Sequence, residues 1–174
     1  MNFTFHPTLF LARGNEKEIS RELKKEALKR LLNCDYELCF TDKGKPFVKC
    51  ENPVGISVSH DNGAVAVLVT PFEPVGIDLQ KVEGEYPERV ADRFFSEKER
   101  ACIKASKDFY EIWCKKESLV KMTGEGISAL SSSDIYDSKC IFTSLSKQVS
   151  ETLNDEYVFY ICSFVKPNPK IIVL

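Results

Sequence analysis

The sequence predicts an α+β fold with antiparallel sheets, and three observations lead to it. Apolar residues alternate with period two in paired segments around turn-forming residues, as at 56–60 and 64–69 on either side of His60-Asp61-Asn62-Gly63. Helical spacing takes over in two longer stretches, 16–32 and 108–122. The second half then runs strand, helices, strands, a mix like that of the first half but without its residues, so no internal repeat is asserted.

Taken in order, Ile19, Leu23, Ala27, Leu28, Leu31 and Leu32 form the apolar stripe of a first helix, with Asn33 as its terminator. Strands at 36–40 and 47–48 flank the turn Thr41-Asp42-Lys43-Gly44-Lys45-Pro46. The Asn-Gly pair favours a tight hairpin between the next two strands. Pro71-Phe72-Glu73-Pro74 interrupts the pattern, because proline cannot donate to a ladder and restricts the residue before it. A lobe boundary is placed there, giving residues 1–73 and 74–174 as two lobes of one compact unit. The second lobe is read as a strand at 75–80, helices near 86–95, 96–105 and 108–122, and strands near 141–145 and 157–165 that close as a hairpin.

The 174 residues, 43% of them hydrophobic, are enough to bury a core in one domain or two small packed lobes. A net charge of -2, with basic residues interleaved among acids, leaves no footprint for nucleic acid. No run reaches the ~20 apolar residues of a membrane span. The seven cysteines lack any Cys-x-x-Cys pair, which fits reduced thiols in a cytoplasm better than a disulfide or zinc framework. Residues 1–12 carry neither a basic segment nor an uninterrupted apolar run, so no signal peptide is expected.

Two segments carry candidate chemistry. In Val75-Gly76-Ile77-Asp78-Leu79-Gln80 the period of two sends Val75, Ile77 and Leu79 to one face and Gly76, Asp78 and Gln80 to the other. Asp is disfavoured in strands, so Asp78 marks either a solvated edge or a site. Trp113, Glu117 and Lys121 stand four apart on one helical stripe. They are either a core tryptophan beside an ordinary helix ion pair, or part of a site. Asp78 and Glu117 could together hold one Mg²⁺, which typically takes one or two protein carboxylates and leaves its other positions to water and phosphate. Ser96 and Glu99 form a capping-box pattern, which competes with a functional role for Glu99. His60 stands at a hairpin mouth where it is a turn residue or a phosphate contact, and Arg21, Lys43 and Lys45 add positive charge.

Read together, five blocks resemble the 4'-phosphopantetheinyl transferase superfamily, in its longer single-chain branch that activates carrier domains of peptide, polyketide and fatty-acid synthases. They are Gly44-Lys45-Pro46, Ser57-Val58-Ser59-His60, Val75-Gly76-Ile77-Asp78, Arg93-Phe94-Phe95-Ser96 through Glu99, and Trp113-x-x-Lys116-Glu117-Ser118-x-x-Lys121 closing on Gly124-Glu125-Gly126-Ile127. The resemblance covers residues 21–127. It implies the fold of that superfamily, two similar α/β lobes packed as a pseudo-dimer, acting as a monomer with coenzyme A bound between the lobes.

The same resemblance implies transfer of the 4'-phosphopantetheine arm of coenzyme A to a serine of an apo acyl or peptidyl carrier protein. Asp78, Glu117 and Lys121 would be catalytic, with Asp78 and Glu117 holding Mg²⁺ and Gln80 a neutral third ligand where many relatives carry an acid. Lys45, Ser59, His60, Lys121 and Arg21 would hold the coenzyme A phosphates. Basic residues in the N-terminal segment are few, Arg13 and Lys17, so the 3'-phosphate either lacks its usual basic partners or is left to His60 and Arg21. Gln80 and that short segment motivate a competing class, a non-catalytic carrier- or coenzyme A-binding relative.

Overall fold

A computed structural model describes residues 5–174, so the expectation for residues 1–12 begins outside the described residues. The first half holds β1 (Thr8–Arg13), α1 (Glu16–Leu31), β2 (Glu37–Phe40), β3 (Pro46–Lys49), β4 (Gly55–Asp61) and β5 (Ala64–Thr70). The second holds β6 (Val75–Lys81), α2 (Glu88–Phe94), α3 (Glu97–Ala101), α4 (Ser106–Thr123), a 3₁₀ turn at Ile127–Ala129, β7 (Ile141–Ser144), α5 (Ser146–Leu153), β8 (Tyr157–Ser163) and β9 (Lys170–Val173).

The strands form a four-stranded sheet ordered β4-β5-β1-β9, a two-stranded β2-β3 ribbon, and a three-stranded sheet ordered β6-β8-β7. Every pairing is antiparallel except β1 with β9, where the last strand returns to the sheet of the first half. The expected hairpin between β4 and β5 is present, and Asn62 and Gly63 both take the left-handed backbone its tight turn needs. The expected closing strands, β7 and β8, also pair antiparallel, but not as a hairpin: α5 stands between them in sequence, its Val149 and Leu153 filling the core.

β5 is buried along its whole length because both of its faces are covered. Val65, Val67 and Val69 meet Leu23, Ala27 and Leu28 of α1 on one side. Ala64, Ala66 and Leu68 on the other side share a core with Val75, Ile77 and Leu79 of β6 and with Tyr157, Phe159 and Ile161 of β8. The period-two reading of β6 therefore holds, with its apolar face turned toward the first sheet.

The two sheets are joined along β4 and β6 by side chains rather than by a ladder. Ser57 Oγ, Ser59 Oγ and Asp61 Oδ2 accept hydrogen bonds from the backbone N–H groups of Ile77, Leu79 and Lys81, at 3.0, 3.1 and 2.7 Å. On the opposite face of β6, α4 lies directly on the strand. A Cβ at Gly76 would collide with Ser118 O and with the backbone of Met122, so glycine is what allows the helix to sit this close.

Trp113 of α4 packs with Phe94, Phe95 and Phe109 in an aromatic cluster under α2 and α3, its ring 6.2 Å from that of Phe109 and nearly parallel to it. Ser96 and Glu99 make the capping box that begins α3.

Candidate functional site

The close seat of α4 brings its outward stripe against the hairpins of the first half. Between them lies a cleft of about 530 Å³ whose lining includes Lys45, His60, Glu117 and Lys121. Of the two readings of the stripe, the ion pair of Glu117 with Lys121 is not found among the described residues. Lys121 Nζ reaches instead across to β6, 2.6 Å from Asp78 Oδ1, and also donates to Ser59 Oγ at 3.0 Å. Ser59 Oγ donates to the same Asp78 oxygen at 2.8 Å, and Gln80 Nε2 donates to Asp78 Oδ2 at 2.8 Å.

Asp78 is buried beneath the cleft floor, with both oxygens engaged. Its position between apolar residues is explained by these donors rather than by a solvated edge, because a buried carboxylate needs such partners. Burial alone would lower the Lys121 ammonium, yet Asp78's charge and hydrogen bond, with Glu117 adding, hold it above its ordinary value.

Glu117 is the contrasting group. It is half-buried, and no hydrogen-bond or ion-pair partner reaches its carboxylate among the described residues. Burial raises its pKa and the nearby Asp78 raises it further, against a lowering pull from Lys121. A carboxylate in this condition fits a cation or a proton donor.

Among the described residues no cluster of three or more His, Cys, Asp or Glu side chains is arranged for a metal. Glu117 leaves a free carboxylate for a cation, whereas both Asp78 oxygens are already engaged, so Asp78 would have to give up Lys121, Ser59 or Gln80 to join it in holding Mg²⁺, which typically takes one or two protein carboxylates beside water and substrate oxygens. Gln80 has committed its amide N–H to Asp78, so only its carbonyl oxygen is left for a cation.

The β2–β3 turn forms one wall. Lys45 Nζ donates to Met122 O at 2.5 Å and so caps the carbonyl end of α4, and Lys43 Nζ donates to Glu125 O in the turn that follows at 2.9 Å. Burial lowers the Lys45 ammonium, against Glu73. His60 Nδ1 lies 2.8 Å from Glu16 Oε2 at the start of α1.

Arg21 does not join this group. It lines a neighbouring groove with Lys25, Lys29 and Tyr36, which meets the cleft only at Lys24 and Phe40. Lys24 and Ser20 line the cleft and were missed; their signal was the spacing of four that joins Glu16, Ser20 and Lys24 on one helix stripe. Phe40 and Ile127, both largely exposed, form an apolar rim at its mouth. A larger hollow of about 730 Å³ around Tyr86 and Lys104 contains none of the residues singled out above.

The family profile of the 4'-phosphopantetheinyl transferase superfamily matches residues 74–170, more than half of the chain. Among similar proteins, 4'-phosphopantetheinyl transferase gsp of Aneurinibacillus migulanus is 30% identical over 132 residues, 68% of this chain and 54% of its own length. 4'-Phosphopantetheinyl transferase Sfp of Bacillus subtilis is 32% identical over 54% of this chain and 44% of its own. AcpT of Salmonella typhi, also a 4'-phosphopantetheinyl transferase, is 29% identical over 56% of this chain and 54% of its own. The chain thus spans about half the length of the relatives it matches.

Proposed function

The chain belongs to the 4'-phosphopantetheinyl transferase superfamily, and from that premise we propose that it transfers the 4'-phosphopantetheine arm of coenzyme A to a serine of an apo acyl or peptidyl carrier protein, releasing adenosine 3',5'-bisphosphate. The observation that carries the reading is the meeting of Asp78, Lys121 and Glu117 at one cleft, a saturated carboxylate-lysine pair beside an unpartnered carboxylate.

In this reading the lobes are 1–73 and 74–174, similar and packed as a pseudo-dimer, with coenzyme A between them and β9 laid back onto the first sheet. The protein acts as a monomer in the cytoplasm; no helix among the described residues is long and apolar enough to cross a membrane.

Lys45 and His60 would bind phosphate oxygens of coenzyme A from the first-lobe wall. Ser59 orients Asp78 and Lys121, to both of which it is bonded. Arg21 would meet only a group that extends past Phe40 into its groove. Mg²⁺, held by Asp78 and Glu117 with the carbonyl of Gln80 nearby, would supply charge stabilisation at the pyrophosphate.

Glu117, the carboxylate left without a partner at the cleft, takes the proton of the attacking serine, directly or through a water. The serine oxygen forms a bond to phosphorus as the bond to adenosine bisphosphate breaks. Lys121, kept charged by Asp78, stabilises the negative charge that collects on the leaving phosphate.

The test is intact mass spectrometry of apo carrier proteins incubated with the chain, coenzyme A and Mg²⁺, beside an EDTA control and Glu117→Gln. A metal-dependent gain of one phosphopantetheine arm, lost in the variant, is the expected result. Binding of coenzyme A without any gain across acyl and peptidyl carriers would replace the proposal by a non-catalytic binding role, with Gln80 the first position to change to an acid.

A further inference from the structure

Glu16 is the first residue of α1, just after the N-cap Asn15, whose side chain accepts from the backbone N–H groups of Lys17 and Glu18. Its own carboxylate points away from the helix and uses both oxygens. Oε1 accepts from the backbone N–H of Gly63 at 2.9 Å, and Oε2 faces His60 Nδ1 at 2.8 Å. One side chain therefore ties together the helix start, the β4–β5 turn and the imidazole at the cleft.

An ionised carboxylate can only accept, so the hydrogen in the His60 contact belongs to Nδ1. The consequence falls on the other ring nitrogen. When His60 is charged, Nε2 carries a hydrogen and can donate to an anion; when it is neutral, Nε2 carries only a lone pair and repels one. An imidazole free to choose its tautomer would move its remaining proton to Nε2 and continue to donate.

We propose that Glu16 is a positioning residue that holds the proton of neutral His60 on Nδ1 and so makes His60 a phosphate donor only in its charged form. The inference rests on the proposed coenzyme A site and assigns a regulator of it: affinity for the substrate anion follows the charge of one imidazole.

Other charged groups face the ring's surroundings. Lys24 comes from α1, Lys43 and Lys45 from the β2–β3 turn, Glu117 and Lys121 from α4, and Asp61 follows along β4. Among the described residues Glu16 alone bonds to the ring. The lysines, Asp61 and Glu117 are unchanged by a substitution at Glu16, so what such a substitution alters in the response to pH comes through Glu16 and the ring it holds.

The chain has two histidines, His6 and His60, so nitrogen NMR of the ¹⁵N-histidine-labelled full chain gives two ring systems, assigned by the loss of one in His60→Gln. At pH ~8 the expected spectrum shows His60 protonated at Nδ1 in the wild type and shifted toward Nε2 protonation in Glu16→Gln. Gln keeps an acceptor for the Gly63 N–H, and so the turn. Wild-type His60 protonated at Nε2 would overturn the assignment.

Coenzyme A titrations on the same two proteins at pH ~5.5 and ~8 supply the second readout. The ionisation of coenzyme A itself is common to both proteins and cancels in the comparison. The wild type should lose about tenfold more affinity across that interval than Glu16→Gln, the size of one charge-assisted hydrogen bond. Equal losses would overturn the proposal. Absence of coenzyme A binding by the wild type at either pH would instead remove the proposed function, while the NMR spectrum still decides where the proton sits.

Discussion

Lys116 and Glu117 are neighbours on α4, yet their side chains leave the helix on different sides and into different surroundings. Lys116 is wholly buried and meets Glu99, also wholly buried, with its Nζ 2.9 and 3.0 Å from the two carboxylate oxygens and a further bond to Ser133 O. Glu99 accepts in addition from the backbone N–H groups of Ser96 and Ile135. Every polar atom of that pair is answered, and it holds α3, α4 and the loop at 133–135 together. Glu117, one residue on, is open to the cleft with no partner and a raised pKa. Lys116 is the more deeply buried of the two, and its pair with Glu99 is answered away from the cleft and fixes structure, whereas the half-buried carboxylate that faces the cleft is unanswered and available for chemistry.

The largest test of that division is Lys116→Met, which leaves the buried Glu99 charge without its cation and with only the N–H groups of Ser96 and Ile135. Breaking a buried pair from one side costs about 3–5 kcal/mol, and for a chain of this size should lower Tm by about 10 °C. Adding Glu99→Leu should recover most of the loss, and activity per folded molecule should stay near wild type in the double variant. A variant with normal Tm and no activity would place Lys116 on the functional side and break the contrast.

Glu117→Gln should behave in the opposite way. Turnover should fall at least ~10²-fold with the loss of a preorganised group, while stability rises. The sign follows from the raised pKa: a carboxyl that holds its proton more tightly when folded contributes stability below its unfolded value, and that contribution is lost as pH rises through the folded pKa. Melting curves of the two proteins should coincide at low pH, where both groups are neutral, and separate in favour of Gln above it. A lower Tm for the variant at pH 7 would mean that Glu117 is answered after all.

Gly76→Ala should act on the cleft and spare the Glu99–Lys116 pair, which travels with α4. The added methyl meets Ser118 O and Met122 and must lift the helix from β6, costing about 1–3 kcal/mol by overpacking. It should also lengthen the Lys121–Asp78 contact, so turnover should drop more than stability alone accounts for, as measured by activity at a temperature well below the variant's Tm. The smallest effect is expected from Ser57→Ala, which leaves the Ile77 N–H without its acceptor and should cost about 1 kcal/mol by chemical denaturation, leaving turnover intact.

Local pattern made much of this legible. The stripe of α1, the faces of β6 and the Asn-Gly hairpin all follow from spacing between near neighbours, and the structure reproduces them. β9 was not foreseen, because its four residues gain a partner only by lying parallel to β1 at the other end of the chain. β1 has the same difficulty, and α5 is a short polar-looking helix whose two apolar anchors, Val149 and Leu153, are too few to show a period. In the site, the shared stripe of Glu117 and Lys121 was legible, but spacing left open whether they pair with each other; a better-placed carboxylate on β6, far away in sequence, takes the lysine. Lys116 was invisible as a structural ion because its partner stands seventeen positions away, on another helix.

The joint between β4 and β6 has a consequence for how the molecule breathes. The N–H groups of Ile77, Leu79 and Lys81 are held by the side chains of Ser57, Ser59 and Asp61 instead of by a neighbouring backbone. Parting the two strands would release these three amides together while the β6–β8 ladder, made by the other residues of the strand, stays closed. In deuterated solvent they would exchange as one group, at a rate set by the opening of the joint rather than by unfolding. Because Ser59 also holds Lys121 and Asp78, that exchange rate is a clock for how often the floor of the cleft comes apart.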